Sequence, residues 1–329
     1  MIIKHRNRPL PLQKLDALVA RLPDDHPQMV YLKKEAAKQQ KGYNGERKLD
    51  YHIDTLPDEY AILSDVCFTL YGKKIQIDSL VISPYAIYIT EVKSYEGTVV
   101  FDTKLRQFYR EQNGKIERYK YPITQAEMIQ SQLLRMLQLA DLAGLPIYFF
   151  VAFSERSTYI KVEGEQESLR NLVTYVEDIP RCIRKNDQQL ATNNPHPNHS
   201  LKNKVIQHIM NQTEDFDMDV YEKYGIDQSE IIPGVECTSC YALPIRRIEN
   251  KWKCQKCSAS STKAHLKALY EYGLLIDPYI TNAKCRAFLQ IESRHIAKNL
   301  LKNAFNTHKY SKRKWKIDST FKKIYKEQL

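Results

Sequence analysis

A chain of 329 residues with 43% hydrophobic and 10% aromatic content has the makings of a soluble globular protein of two or three domains; it has no apolar run long enough to span a bilayer. Seven cysteines, four of them in two CxxC pairs, argue for a metal site in a reducing compartment and against a disulfide framework. The net charge of +11 is uneven: residues 284–329 carry thirteen Lys or Arg against three acidic residues, which suits a polyanionic partner, with a solvated basic tail as the plainer alternative. The opening "MIIKHRNRPLPLQ" lacks the apolar core of a signal peptide, so a cytoplasmic protein with no membrane partner is expected.

In chain order, residues 10–40 read as two helices split by "LPDDHP". A third helix is expected from about Asn44 to Thr55, with Leu49, Ile53 and Leu56 on its buried face and Glu46 on that face one turn earlier. Strands follow near 60–70, 74–83, 86–93 and 98–102. A long helix is predicted from Pro122 to about Ala143, with Ile129, Leu133, Met136, Leu137 and Ala140 as its apolar face and Gln125 in line with them. "IYFFVAF" (147–153) suits a strand covered on both sides, and "LVTYV" with the segment Ile179 to Arg184 completes this domain. "KNDQQLATNNPHPNHS" reads as a loop, residues 200–212 as a helix, and "TEDFDMDVYEKYGIDQSEIIPG" as an acidic linker.

Three polar residues interrupt the second and third strands, which otherwise alternate as an apolar hairpin. A turn centred on Pro84-Tyr85 sets Asp78 opposite Glu91; Lys93, two residues on, shares the face of Glu91. An Asp and a Glu facing each other repel unless a cation or a proton lies between them. Hard oxygen donors suit Mg²⁺ or Mn²⁺, and a lysine beside such an ion can orient a water and help to deprotonate it. A plain Glu91–Lys93 ion pair, with Asp78 at the strand edge, is the competing reading.

"GYNGE" (42–46), "QIDSLVIS" (76–83), "IYITEVKSYEG" (87–97) and "YPITQ" (121–125) stand in the order and spacing of the nuclease-related domain, NERD. Over roughly residues 38–155 the chain resembles that family, which in turn resembles the PD-(D/E)xK phosphodiesterases such as restriction endonucleases and Holliday-junction resolvases. The resemblance implies an α/β fold with a restriction-endonuclease-like αβββαβ core and a mixed sheet. It also implies that Asp78 and Glu91 hold Mg²⁺ or Mn²⁺, that Lys93 positions the water, that Glu46 adds a ligand or base, and that Gln125 lines the site. Ala86 and Ser94 stand where the family often has Gly and Asn; neither is a ligand position.

"CTSC" (237–240) and "CQKC" (254–257) flank thirteen residues that read as a hairpin turning at Asn250-Lys251. This is zinc-ribbon spacing, with Cys237, Cys240, Cys254 and Cys257 as ligands of a structural Zn²⁺; a redox dithiol pair is the rival. Cys67, Cys182 and Cys285 are left as structural. "TNAKCRAFLQ" (281–290) reads as a helix capped by Thr281, "IES" as a turn, and "RHIAKNLLKNA" as a helix capped by Ser293. Its buried face is Ile296, Ala297, Leu300, Leu301 and Ala304, leaving Arg294, His295, Lys298, Asn299 and Lys302 outward. "KYSKRKWKI" (309–317) supplies a basic strand or wing, so Arg294, Lys298, Lys302, Lys312, Arg313 and Lys314 are the expected nucleic-acid contacts. A small helical bundle packed on the ribbon is the plainer alternative.

The expected organisation is an N-terminal helical segment (1–37), a NERD nuclease-like domain (38–190), a linker with one helix (191–233), a zinc ribbon (234–262) and a basic helix-turn-helix-like DNA-binding region (263–329). The expected function is metal-dependent hydrolysis of nucleic-acid phosphodiester bonds, in DNA before RNA. The alternative is an inactive nucleic-acid-binding or regulatory protein on a nuclease-like fold. No Walker A pattern is present, so no nucleotide cofactor is expected. Strandedness of the substrate and oligomeric state are left open.

Overall fold

A computed structural model describes residues 1–305, 309–311 and 314–317. They form two compact units, one of residues 1–9 and 38–216, the other of residues 10–37 and 217–329. The chain begins with β1 (Ile2–Lys4), α1 (Leu10–Arg21) and α2 (Met29–Ile53). The helix expected from Asn44 is therefore the second half of α2, not a separate element. Gly42 and Gly45 suggest a break, since each costs a helix about 1 kcal/mol against Ala. Gly45 is nonetheless required: a Cβ there would collide with Ser94 Oγ and Ser154 Oγ, so only glycine lets the helix lie this close to the strand ends.

The first unit continues with β2 (Ala61–Leu70), β3 (Lys73–Ile82), β4 (Ile87–Lys93), β5 (Gly97–Asp102), β6 (Gln107–Gln112) and β7 (Lys115–Tyr119). Then come α3 (Pro122–Gln138), β8 (Ile147–Phe153), β9 (Thr158–Glu163), β10 (Val173–Tyr175), α4 (Ile179–Asn193) and α5 (His199–Gln212). The main sheet has the order β1-β2-β3-β4-β8-β10. Its β2–β3–β4 meander is antiparallel, while β1, β8 and β10 join their neighbours in parallel. This is a mixed sheet, and α2-β2-β3-β4-α3-β8 is the expected αβββαβ order with β5 to β7 inserted.

Helices cover both faces. On one, Ile129, Leu133, Met136 and Leu137 of α3 pack with Ile77, Leu80, Ile89 and Val151; on the other, Leu49 and Ile53 of α2 and Ile179 and Ile183 of α4 pack with Val81, Tyr88 and Ala152. Ala140 lies beyond the end of α3. A second sheet has the order β7-β6-β5-β9. Its β6–β7 hairpin turns at Asn113-Gly114, both with positive φ (52° and 71°), as a two-residue hairpin turn requires.

The loop expected at 185–200 is mostly helix: α4 runs to Asn193. Asp187, one turn past buried Ile183, is itself buried and accepts hydrogen bonds from Ser83 Oγ (2.9 Å) and Tyr88 Oη. That anchor holds the polar half of the helix on the sheet.

The second unit adds α6 (Val220–Tyr224), β11 (Arg246–Ile248), β12 (Lys251–Lys253), β13 (Ser260–Ser261), α7 (His265–Leu275), β14 (Tyr279–Thr281), α8 (Asn282–Leu289), α9 (Arg294–Ala304), β15 (Lys309–Ser311) and β16 (Lys314–Lys316). The acidic segment read as a linker is part of this unit's core: Val220, Tyr224, Ile226 and Ile231 are buried with Leu15 and Leu18 of α1. Two three-stranded sheets form, β11-β12-β13 and β14-β16-β15. Ile248 pairs with Lys251, which places the β11–β12 turn at Glu249-Asn250, one residue before the expected position. Glu249 takes a positive φ of 54° there. No described helix is long and apolar enough to cross a membrane.

Candidate functional site

Strands β3 and β4 pair in the register read from the turn, from Ile82↔Ile87 to Ser79↔Thr90. There the ladder ends. Asp78 Oδ2 accepts the N–H of Val92 at 2.8 Å, so a side chain takes the place of the next backbone partner and the two strands fork. Glu91 is buried beside the fork, while Asp78 and Lys93 are half-buried. Lys93 Nζ donates to Glu91 Oε1 (2.8 Å) and to Gln125 Oε1 (3.0 Å), and Gln125 Nε2 donates to Glu91 Oε1 (2.6 Å). The expected convergence of Asp78, Glu91, Lys93 and Gln125 on one place is thus observed, and so is the Glu91–Lys93 ion pair of the competing reading.

That ion pair does not use up the carboxylates. Among the described hydrogen bonds neither Asp78 Oδ1 nor Glu91 Oε2 has a donor. Burial, and then the charge of Asp78, push Glu91 up to about 7. Burial raises Asp78 as well, against the N–H of Val92 and the charges of Lys93 and Arg6. Both shifts come first from burial, which disfavours the charged form even with Lys93 and Arg6 nearby. Two carboxylate oxygens with no described donor fit a hard divalent cation, which takes one or two carboxylates and completes its shell with water.

Glu46 lies near enough to Asp78 to feel its charge, and it is bonded to an arginine. Its Oε2 accepts from Arg6 Nη1 at 2.7 Å. The same guanidinium, its side chain 2% exposed, donates to both oxygens of Asp50 (2.8 and 3.0 Å) and to the carbonyl of Asp78 (2.7 Å). Burial, and then Asp78, push Glu46 up to about 8 even so. Sequence reading missed Arg6 and Asp50. Asp50 follows Glu46 by one helical turn, a usable signal; nothing in "HRNRPL" marks Arg6.

Among the described residues, Cys237, Cys240, Cys254 and Cys257 are the only set of three or more possible ligand groups whose atoms all lie within 4.8 Å of one another. They sit on two knuckles of matching geometry. Cys237 N donates to Ala242 O and Cys254 N to Ala259 O, both at 2.9 Å. Tyr241 and Ser258, each four residues after the first cysteine, adopt positive φ of 60° and 62°. Sγ–Sγ distances are 3.7 Å for Cys237–Cys257 and 3.5 Å for Cys240–Cys254, close to the edge of roughly 3.8 Å that a tetrahedron of Zn–S bonds would have. The backbone N–H of Cys257 lowers the Cys254 thiol, while, against the backbone N–H of Ala259, the neighbouring thiols raise Cys257, as expected of four thiols that share one site and give up their protons together to a metal. The cluster can hold a metal such as zinc and leaves no open position for catalysis.

Thr281 Oγ1 accepts from Lys284 N at 3.2 Å and Ser293 Oγ from Ile296 N at 3.3 Å, so both helix caps stand where expected. Arg294, Lys298 and Lys302 are exposed on α9, opposite buried Ala297, Leu300, Leu301 and Ala304, and Lys314 is exposed on β16. Ile296, expected in the buried face, is only half-buried. Lys312 and Arg313 lie outside the described residues.

Residues 41–154 match the family model of NERD, the nuclease-related domain. An uncharacterized protein of Bacillus anthracis is 24% identical over 155 residues, covering 46% of this chain and 70% of the relative. No solved structure matches the chain. The chain carries a nuclease-related domain.

Proposed function

We propose that the protein is a metal-dependent nuclease that cuts DNA at the β3–β4 fork. The observation that supports this most is the Asp78–Glu91–Lys93–Gln125 convergence, with two carboxylate oxygens free, inside the stretch matched by a nuclease-related family. Asp78 Oδ1 and Glu91 Oε2 would hold Mg²⁺ or Mn²⁺. When bound, such an ion activates water and neutralises charge building on the scissile phosphate. Lys93, fixed by Glu91 and Gln125, directs an N–H at the attacking water or at a phosphate oxygen. Gln125 keeps Lys93 and Glu91 in register by bonding both. Glu46 acts through Arg6, which ties α2 to the backbone of Asp78.

Delivery falls to the second unit. The order α7-β14-α8-α9-β15-β16, with β16 between β14 and β15, supports reading this region as a helix-turn-helix with a wing. In that arrangement α9 presents Arg294, Lys298 and Lys302, and the wing presents Lys314, to phosphates and base edges. The four cysteines hold a structural Zn²⁺ that fixes the ribbon.

A second reading, a non-cutting nucleic-acid-binding protein, is favoured by one observation: Arg6 already occupies Glu46 and Asp50 with a fixed cation. Incubation with labelled single-stranded, duplex and branched DNA and RNA, in Mg²⁺, in Mn²⁺ and in metal-free buffer, separates the two. Cleavage that depends on added metal supports the nuclease; tight binding with no cutting in any condition leaves the binding protein.

A further inference from the structure

On the α2 face of its main sheet the first unit has an open cleft of about 770 Å³ whose residues none of the site chemistry above uses. Helix α2 forms one wall with Arg47, Lys48, Tyr51 and His52, and the turn after β8 forms the other with Ser154 and Arg156. Helical spacing separates this wall from the catalytic side of the same helix: Glu46 and Asp50 turn toward Arg6, while Arg47 and Tyr51, one turn apart, turn into the cleft. The cleft reaches the backbone of Lys93, whose side chain bonds Gln125 on the other face of the sheet. Ser154 N donates to Lys93 O at 3.0 Å, and the hydroxyl of Ser94, the next residue, lies 2.6 Å from that of Ser154. The cleft therefore opens at the C-terminal ends of the parallel pair β4 and β8, where open α/β sheets bind ligands.

Its chemistry is specific. Lys48 is paired with Glu155 at 2.7 Å and Arg156 with Glu177 at 2.9 Å. Arg47 has no acidic partner among the described residues; its described contact is the Tyr43 ring, 6.0 Å from its guanidinium carbon. Tyr51 is 74% exposed, an aromatic face left to water, with the His52 ring edge-on at 5.3 Å. A cation without a counter-ion and an exposed ring one turn along the same helix face suit a phosphate and an unpaired base together. A closed duplex keeps its bases stacked and cannot offer that face.

We propose that this cleft binds one nucleotide of the strand the nuclease-related unit takes, its phosphate at Arg47 and its base on Tyr51, so that the unit takes a strand with an unpaired base. Where that strand is cut rests on the reading of Lys93 given above; that the cleft binds it does not.

The test is fluorescence anisotropy of a short labelled single-stranded oligonucleotide with the full-length protein in metal-free buffer, where no cleavage competes. Arg47→Glu and Tyr51→Ala should each weaken binding by about tenfold or more, and Tyr51→Phe should bind as wild type. Both side chains are exposed, so melting temperatures should stay unchanged. Unaltered affinity in Arg47→Glu and Tyr51→Ala overturns the proposal. A nucleoside monophosphate should compete far more weakly than the unlabelled strand. If it competes equally, the cleft is a site for free nucleotides; if an acidic peptide does so, the cleft is a site for acidic chains; either result overturns the strand assignment. Binding through Tyr51 and Arg47 with no cleavage under any metal would end the nuclease reading and keep the cleft. Cleavage that both variants perform at wild-type kcat/KM, with wild-type binding, would end the cleft alone.

Discussion

Arg6 has its guanidinium between two carboxylates and a carbonyl, with 2% of its side chain exposed. Replacing it with glutamine leaves Glu46 and Asp50, 20% and 28% exposed, without their cation, and removing one partner of a buried pair costs about 3 kcal/mol. Arg6→Gln should lower stability by about that amount in urea unfolding, and adding Asp50→Asn should recover part of it. An unchanged midpoint in Arg6→Gln would remove the clamp from this account. The contrast with the fork residues shows what a sequence displays at this scale. Asp78, Glu91 and Lys93 were legible because each breaks an apolar alternation that a short turn had already put in register. Arg6 breaks no pattern, and its partners lie 40 and 44 residues along the chain. Only the fold reveals it.

Elements were legible where one local signal decided them and hidden where two conflicted. The β3–β4 register follows from alternation and the Ser83–Ala86 turn, closed by Ser83 N donating to Ala86 O at 2.9 Å. The continuity of α2 was hidden because glycine reads as a breaker, whereas Gly45 serves close packing. The two glycines therefore make a paired prediction. Gly42→Ala, with nothing within 4 Å of the new Cβ, should stabilise by up to about 1 kcal/mol. Gly45→Ala gains the same propensity but meets Ser94 and Ser154, and should destabilise by roughly 1–3 kcal/mol. Thermal melts of the two variants moving in the same direction would contradict the packing argument. The β6–β7 hairpin went unread despite its Asn-Gly turn, because its strands are mostly polar: four of the five β7 residues are exposed. The knuckles were fully legible from spacing. Elemental analysis of protein purified without chelators should find one zinc per chain, and Cys254→Ser should lose it; metal-free, folded protein would contradict the assignment.

At the scale of the whole chain, the αβββαβ core could be read from the sequence, but the composition of the second unit could not. Residues 10–37 belong to that unit, and no rule of chain order tells which distant segment will fill a core: Leu15, Leu18, Leu22 and Met29 pack with Tyr224, Trp252 and Leu269. The charge asymmetry was plain from composition, and it predicts how binding responds to salt. Replacing Lys298 and Lys302, both exposed, with Glu should weaken duplex binding at every salt concentration and make the plot of log affinity against log salt shallower by about two. Equal slopes would leave α9 outside the interface. The central claim, that the fork between β3 and β4 hydrolyses phosphodiester bonds, is tested most directly by comparing wild type with Lys93→Ala in the same cleavage assay with Mg²⁺ and with Mn²⁺. The account predicts metal-dependent cleavage by wild type and a loss of at least about 100-fold in the variant below its melting transition, with its zinc content unchanged and its melting temperature lowered by the loss of the Glu91 partner. A Lys93→Ala protein that cuts as fast as wild type would contradict it.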